Sequence, residues 1–144
     1  MGMFKVDVTL TNPKDPGRWF SEKFWVDTGA LYTFVPEDRL EAIGIEPIHG
    51  RDLILADGRR ERRLLGEALF SIQGLEGQIT CPVIFSPKES LYLLGVTALE
   101  NFGVDVDPTN QTLKPIFAVI RDYTASAPDS GKILPYEEIT RLDA

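Results

Sequence analysis

One carboxylate, that of Asp27, lies between an apolar stretch and a glycine turn. Residues 24–26 are apolar and predict a short strand that ends at the acid, while Gly29 predicts a tight turn directly after it. A turn of this kind can hold one carboxylate against a second one and keep both away from bulk water. The chain contains one credible copy of this arrangement, so a site with two such acids requires a second chain.

Length and composition predict one domain of mostly β structure. A chain of 144 residues that is 43% hydrophobic can bury one core, but it is too short for two full lobes. Ten prolines and twelve glycines between short apolar runs fit a turn-rich β protein better than a helical bundle. The net charge of −7 argues against a nucleic-acid partner, because such partners are bound by Lys and Arg that neutralise phosphates.

The distribution of cysteine, histidine and apolar residues predicts a cytoplasmic protein without metal, cofactor or membrane partner. Cys81 is the only cysteine and His49 the only histidine, which makes an intramolecular disulfide impossible and a metal site unexpected. The first ten residues alternate charged and apolar side chains, unlike a signal peptide, and no apolar stretch approaches the roughly 20 residues that span a bilayer. Cys81 lies in an apolar run and is interpreted as a buried small residue rather than a nucleophile.

Alternating apolar residues and turn residues predict a series of hairpins. The turn-rich residues 12–17 separate the first two strands, and the second strand ends at Asp27. Beyond residue 118 the signals weaken, with a small-residue linker over 125–132. Strands are predicted over residues 4–10, 18–26, 52–56, 64–72, 79–85 and 91–95, a last hairpin over 104–110 and 113–116, and helices over 36–43, 97–102 and 136–142.

An internal repeat indicates a duplicated half-domain. Residues 40–46 match residues 99–105 in type at seven positions, an offset of 59 residues. Each copy follows an apolar strand and a glycine turn, with Gly29 in the first copy and Gly95 in the second. The alternative is that two short helices end at glycine independently. Only the first copy carries an acid at its turn.

With these two turns and the repeat, the chain resembles the retropepsin-like aspartic proteases, which are retroviral-type, single-domain relatives of pepsin. The resemblance covers residues 4–116. It implies an acid-protease fold in which each subunit is a closed, barrel-like β sheet with one or two short helices, and in which the active form is a homodimer. The implied protease domain is residues 1–120, followed by a C-terminal tail over residues 121–144.

The resemblance assigns a role to each residue of the two turns. Asp27 is the implied catalytic acid, which meets its copy from the partner chain at the dimer axis. Thr28 is expected to brace the two loops across that axis, and Gly29 to donate its amide to the carboxylates. Ala30 is expected to lie beside the substrate backbone, and Gly95 to let the second turn pack against the first.

The resemblance also implies a flap over residues 53–66 that closes on a bound peptide. Its tip, Leu55, Ala56, Asp57 and Gly58, is expected to contact the substrate. Directly after the tip, residues 59–63 carry four arginines in an otherwise acidic protein. Such a charge run is typical of a solvated hairpin tip. The alternative is a basic lid that favours acidic or extended polar substrates.

The implied chemistry explains why acids are needed at this site. Peptide hydrolysis without a metal or a covalent intermediate requires a base that activates water and an acid that protonates the departing groups. Two carboxylates held close together share one proton and so supply both functions, as in aspartic proteases generally. The predicted activity is therefore that of an endopeptidase on peptide or protein substrates.

Departures from the retroviral pattern leave alternatives open. Retroviral enzymes carry an acid after the Asp-Thr-Gly-Ala sequence, where this chain has Leu31, and usually an arginine after the second glycine, where it has Val96. One alternative is a catalytically weak or inactive dimeric module that binds peptides with the same fold. Another is a self-processing enzyme that cleaves its own tail. The Asp-Ser-Gly sequence at residues 129–131 follows no apolar strand and is interpreted as a linker turn.

Overall fold

The computed structural model of the protein describes residues 3–117 and 119–120. This part of the chain is mostly β structure with two short helices, which confirms the predicted fold class at that level. The strands are β1 (Lys5–Asn12), β2 (Asp15–Val26), β3 (Thr33–Pro36), β4 (His49–Ile54), β5 (Arg60–Ile72), β6 (Ile79–Ser86), β7 (Leu93–Leu94), β8 (Val104–Asp107) and β9 (Thr112–Pro115), and the helices are α1 (Glu37–Ala42) and α2 (Val96–Asn101).

The strand pairings form a continuous circuit around the core. In hydrogen-bonded order the circuit runs β1, β2, β7, β3, β6 and β5, and β5 pairs in turn with β1. β4 pairs with residues 60–65 of β5 to form the β4–β5 hairpin, whereas β8 and β9 form a separate two-stranded sheet. Alternate residues of each strand point inward, so every strand of the circuit contributes to the core. Fully buried apolar side chains include Leu10, Phe24, Val35, Phe70, Val83 and Leu94.

The internal repeat appears in the structure as two equivalent halves. Adding 59 to the bounds of α1 gives those of α2, and both helices end just before a glycine with positive φ, Gly44 at 80° and Gly103 at 66°. The same offset relates residues 20–26 of β2 to residues 79–85 of β6, and residues 34–35 of β3 to residues 93–94 of β7. Accordingly, β2 pairs in parallel with β7, β6 pairs in parallel with β3, and the central pair β3–β7 is antiparallel.

The alignment of the two halves corrects one detail of the sequence interpretation. Gly95 corresponds to Pro36, because each is the residue at which its helix is capped, and it is therefore not the counterpart of Gly29. The residue that corresponds to Asp27 is Ser86, which ends β6 and is buried. In each half a strand therefore ends at the equivalent position, and only the first half has an acid there.

Several elements differ from the prediction. Strands β4 and β5 begin at residues 49 and 60, three and four residues before the predicted 52–56 and 64–72. Strand β3 is absent from the prediction, because four residues are too few to show any alternation. Strand β2 begins at Asp15, so the turn is only residues 13–14 and Pro16 lies within the strand. Proline is tolerated there because β2 pairs with β7 only at residues 25–26, which leaves its N-terminal part on an edge.

Within residues 3–117 and 119–120, no helix has the length and apolar character needed to cross a membrane. The linker predicted over 125–132, the helix predicted over 136–142 and the Asp-Ser-Gly sequence at 129–131 lie outside the described residues.

Candidate active site

The main chain of Asp27 is held on both sides at the end of β2. Its amide donates a hydrogen bond to the carbonyl of Leu94 at 3.0 Å, which continues the parallel ladder one residue beyond the strand. On the other side, the amide of Val26 donates to the carbonyl of Phe4 at 2.9 Å. With neighbours bonded on both edges, the backbone at Asp27 is fixed and the sheet sets the direction of its carboxylate.

The loop after Asp27 is braced by the turn that begins α2. The amide of Val96 donates to the carbonyl of Ala30 at 2.8 Å, and the amide of Gly95 donates to the buried hydroxyl of Thr33 at 3.1 Å. A Cβ atom on Gly95 would overlap the carbonyl group of Tyr32 and lie 2.9 Å from the carbonyl oxygen of Ala30. The two segments therefore approach this closely only because residue 95 has no side chain.

The Asp27 carboxylate is partly exposed and bonded within its own loop. Its Oδ1 atom accepts a hydrogen bond from the amide of Gly29 at 2.9 Å, which anchors one oxygen. The neighbouring Thr28 is exposed, and its hydroxyl makes no hydrogen bond to any other described residue. This loop thus presents one carboxylate and one hydroxyl at the protein surface.

A cleft of about 290 Å³ opens beside Asp27. The cleft is also lined by residues that the sequence analysis does not connect with this site, among them Met3 and Asp105. The Asp105 carboxylate accepts a hydrogen bond from the amide of Val106 at 2.8 Å. No local pattern linked Asp105 to Asp27, because the two residues are far apart in the chain and meet only when β8 folds back. A larger hollow of about 450 Å³, lined in part by Asn12 and Glu67, contains none of the predicted site residues.

Arg39 of α1 supports the segment that leads into β7. Its guanidinium donates to the hydroxyl of Tyr92 at 2.7 Å, forms an ion pair with Glu22 at 3.3 Å and lies 4.4 Å from the centre of the Phe20 ring. Burial raises the pKa of the Tyr92 hydroxyl. Since the carbonyl of Tyr92 accepts the amide of Trp25 at 2.9 Å, this contact helps to hold the strand that delivers Asp27.

The predicted flap tip forms a tight turn at the end of the β4–β5 hairpin. The amide of Gly58 donates to the carbonyl of Leu55 at 2.8 Å, and Gly58 has a φ of 88°. Hydrogen bonds from the amide of Arg59 and then from its side chain lower the pKa of Asp57. Ala56 and Asp57 are exposed. Among the described residues, no hydrogen bond or ion pair joins this tip to the loop of residues 27–32.

The remaining candidates of the sequence analysis lie apart from this site. Cys81 is fully buried, and burial raises the pKa of its thiol, which disfavours the reactive thiolate. His49 is exposed in β4. Within the described part of the chain, no group of three or more His, Cys, Asp or Glu residues is arranged to hold a metal ion.

No protein-family model matches the sequence, and no curated protein matches it. The structure is similar to a solved structure of a foamy viral protease-reverse transcriptase in complex with an RNA/DNA hybrid, with 14% sequence identity and a TM-score of 0.47. The similarity covers 84% of this chain and 14% of the viral one, so this chain spans about one seventh of that protein's length. The function of this chain is therefore inferred from its own site.

Proposed function

We propose that the protein is an aspartic endopeptidase of the retropepsin-like type that works as a homodimer. The observation that carries this proposal is the position of Asp27, a partly exposed carboxylate at the end of a strand, in a loop locked by Gly95. A carboxylate held this rigidly is suited to meet a second one at a fixed distance. Because Ser86 takes the equivalent position in the other half of the chain, the second carboxylate comes from a second copy.

The proposed mechanism uses two Asp27 carboxylates that share one proton. The charged carboxylate takes a proton from a water molecule, which attacks the peptide carbonyl, and the protonated one donates to the departing groups. The amide of Gly29 stabilises one carboxylate oxygen, and the exposed hydroxyl of Thr28 is available to bond across the dimer axis. Ala30 and Gly95 support the substrate side of the loop. The mechanism requires no metal or cofactor.

The exposed apolar end of the described chain supports dimer formation. Ile116 is 54% exposed, and Phe117, Val119 and Ile120 are 89–90% exposed. Several exposed apolar side chains within a short segment are typical of surfaces that are covered by a partner. We assign residues 1–120 to the protease domain and residues 121–144 to a tail, with the β4–β5 hairpin as the flap over a peptide substrate.

The second candidate is a dimeric peptide-binding module with little or no activity. Leu31 favours it, because this side chain is 59% exposed directly after the Asp27 loop, where retroviral enzymes carry an acid that holds the substrate backbone. The rigid placement of Asp27 favours the enzyme, since a binding groove alone does not require an acid in a rigid loop.

A cytoplasmic location and the absence of a nucleic-acid partner remain predictions. The net charge of −7 is the argument against a nucleic-acid partner.

Cleavage of a diverse peptide mixture, read by mass spectrometry, tests the proposal. The proteins compared are wild type, Asp27→Asn and Asp105→Asn, from about pH 4 to about pH 7, where a coupled acid pair works. Asp105→Asn is the matched control, because it removes a carboxylate from the same cleft. We expect cleavage by wild type and by Asp105→Asn and none by Asp27→Asn. Loss of cleavage in both variants would indicate an acid pair within one chain, against the homodimer.

Dilution provides an independent test of the homodimer. Each subunit supplies half of the proposed site, so activity per subunit should fall as the protein is diluted through its dimer dissociation constant. Activity that stays proportional to concentration in a protein shown to be monomeric would contradict the two-chain site.

A further inference from the structure

A second apolar surface lies on the side of the sheet opposite the core. Leu65 is 5% exposed and Ile84 is 0% exposed, yet neither packs into the core cluster. Leu65 pairs with Ile84, Ile84 with Phe34, and Leu93 with both Phe34 and Trp25. Paired residues point to the same side of a sheet, so these five side chains form one row, which we call the outer face.

Asp27 lies at one end of the outer face. It follows Trp25 by two residues, and its amide continues the ladder between β2 and β7, so alternation directs its carboxylate to the same side as the Trp25 ring. A peptide cleaved at Asp27 would therefore run over the outer face, towards Phe34 and the β4–β5 hairpin.

Arg63 covers the other end of the outer face. It precedes Leu65 by two residues on β5, and its guanidinium lies 5.9 Å from the centre of the Phe34 ring. It donates to the hydroxyl of Ser86 at 3.3 Å and forms an ion pair with Glu61 at 3.1 Å. Its side chain is only 18% exposed, so this arginine does not belong to a solvated hairpin tip.

The side of the hairpin that bears Arg63 carries an excess of positive charge. Arg51 is directly opposite Arg63 in the register, and Glu61 is on the same side. Among the described residues, Glu61 pairs with Arg63, and Arg51 forms no ion pair. The opposite side has the same balance, because Arg62 is paired with Asp52 at 2.9 Å and Arg60 forms no ion pair with a described residue, but that side does not face Phe34. One positive charge on the Arg63 side is therefore left uncompensated.

We propose that Arg63, assisted by Arg51, binds an acidic side chain of the substrate. This inference rests on the proposed peptidase function and specifies its substrate class: peptides with Asp or Glu close to the cleaved bond. Phe34 is two strands away from β2, about 10 Å, a distance that about three extended residues span. A guanidinium with two N–H groups left beyond its Glu61 and Ser86 contacts can donate to a carboxylate that arrives there.

Binding and cleavage of paired peptides test this proposal. The peptides differ only by Glu or Gln at one position, and that position is moved stepwise across the six residues around a cleavage site. Binding is measured by fluorescence anisotropy with Asp27→Asn protein, and cleavage as kcat/KM with otherwise wild-type protein. Both are measured again after Arg63→Gln and after Arg62→Gln, which removes an arginine from the opposite side of the same hairpin and is the matched control.

At one position we expect the Glu peptide to be preferred by about tenfold, as for a charge-assisted hydrogen bond in a partly buried place. The preference should fall to within about twofold in Arg63→Gln and persist in Arg62→Gln and in Arg63→Lys, which keeps the charge. Equal use of Glu and Gln peptides at every position, or a preference that survives Arg63→Gln, would overturn the proposal.

The two failures are distinguishable. Cleavage that depends on Asp27 but shows no preference for Glu contradicts the acidic-substrate inference and leaves the peptidase intact. Binding that prefers Glu and depends on Arg63, without any cleavage that depends on Asp27, contradicts the peptidase and retains Arg63 as the binding residue of a peptide-binding module.

Discussion

The packing of Gly95 against the Asp27 loop makes the effect of one added methyl group predictable. In Gly95→Ala the new Cβ would overlap the carbonyl of Tyr32 and lie 2.9 Å from the carbonyl oxygen of Ala30. Both obstacles are backbone atoms, so no side chain can rotate away and the loop itself has to move. The φ of −94° and ψ of 174° at residue 95 suit alanine, which makes the penalty purely steric.

We expect Gly95→Ala to lower the free energy of unfolding by about 3 kcal/mol, the upper end of the range for overpacked sites. For a chain of this length that corresponds to a fall in Tm of about 12 °C, at about 4 °C per kcal/mol. Cleavage should fall further than the folded fraction does, because the displaced loop carries Asp27.

Thermal unfolding followed by circular dichroism at a fixed protein concentration measures this effect. Gly17→Ala is the control, because a Cβ there would be 3.6 Å from its nearest neighbour, an ordinary contact, and the change should stay within about 0.5 kcal/mol. If the Tm of Gly95→Ala lies within about 3 °C of that of Gly17→Ala, the close approach described above is wrong.

Two further substitutions test the supports of the site. Thr33→Val removes the buried hydroxyl that accepts the Gly95 amide, so urea unfolding should show a loss of about 1–3 kcal/mol, against little change for Thr80→Val at an exposed position of β6. The pKa of Asp57 is lowered from 3.8 by hydrogen bonds from Arg59, so its contribution to stability is present above pH 3.8 and is lost as the pH falls through the lowered value. Asp57→Asn should therefore remove a small part of the acid dependence of unfolding between about pH 5 and about pH 2, and identical curves would contradict this.

The sequence alone predicts those turns and helix ends in which one residue type determines the local backbone geometry. The turn at Gly58, the helix ends before Gly44 and Gly103 and the first hairpin follow from glycine, proline and alternation, and all are present. Strand β3 was not predictable in this way, because its position depends on β6 and β7, which arrive much later in the chain. Local pattern carries no information about such partners.

The same limit applies to the site. A strand that ends in Asp27 is visible in the sequence, and so is a later glycine turn, but their contact depends on β7 being inserted between β2 and β3. Asp105 beside Asp27 and Arg63 over Phe34 are likewise products of strand order. The sequence pattern predicts a solvated arginine run, whereas the structure divides the run between opposite sides of the hairpin, a division that depends on the register of β4 and β5.

The insertion of β7 between β2 and β3 also determines the stage of synthesis at which the candidate site can form. Both outer strands of this trio are synthesised more than fifty residues before the strand that joins them. A growing chain can form its first hairpin early. Its Asp27 loop nevertheless lacks the hydrogen bonds to β7 and to the start of α2 until residues 93–97 have left the ribosome and β7 has inserted between β2 and β3. Such long-range closure is slow compared with hairpin formation. The Asp27 loop therefore reaches its braced form only after β1 to β6 have been synthesised, and under the proposed function a nascent chain would have no competent site before that point.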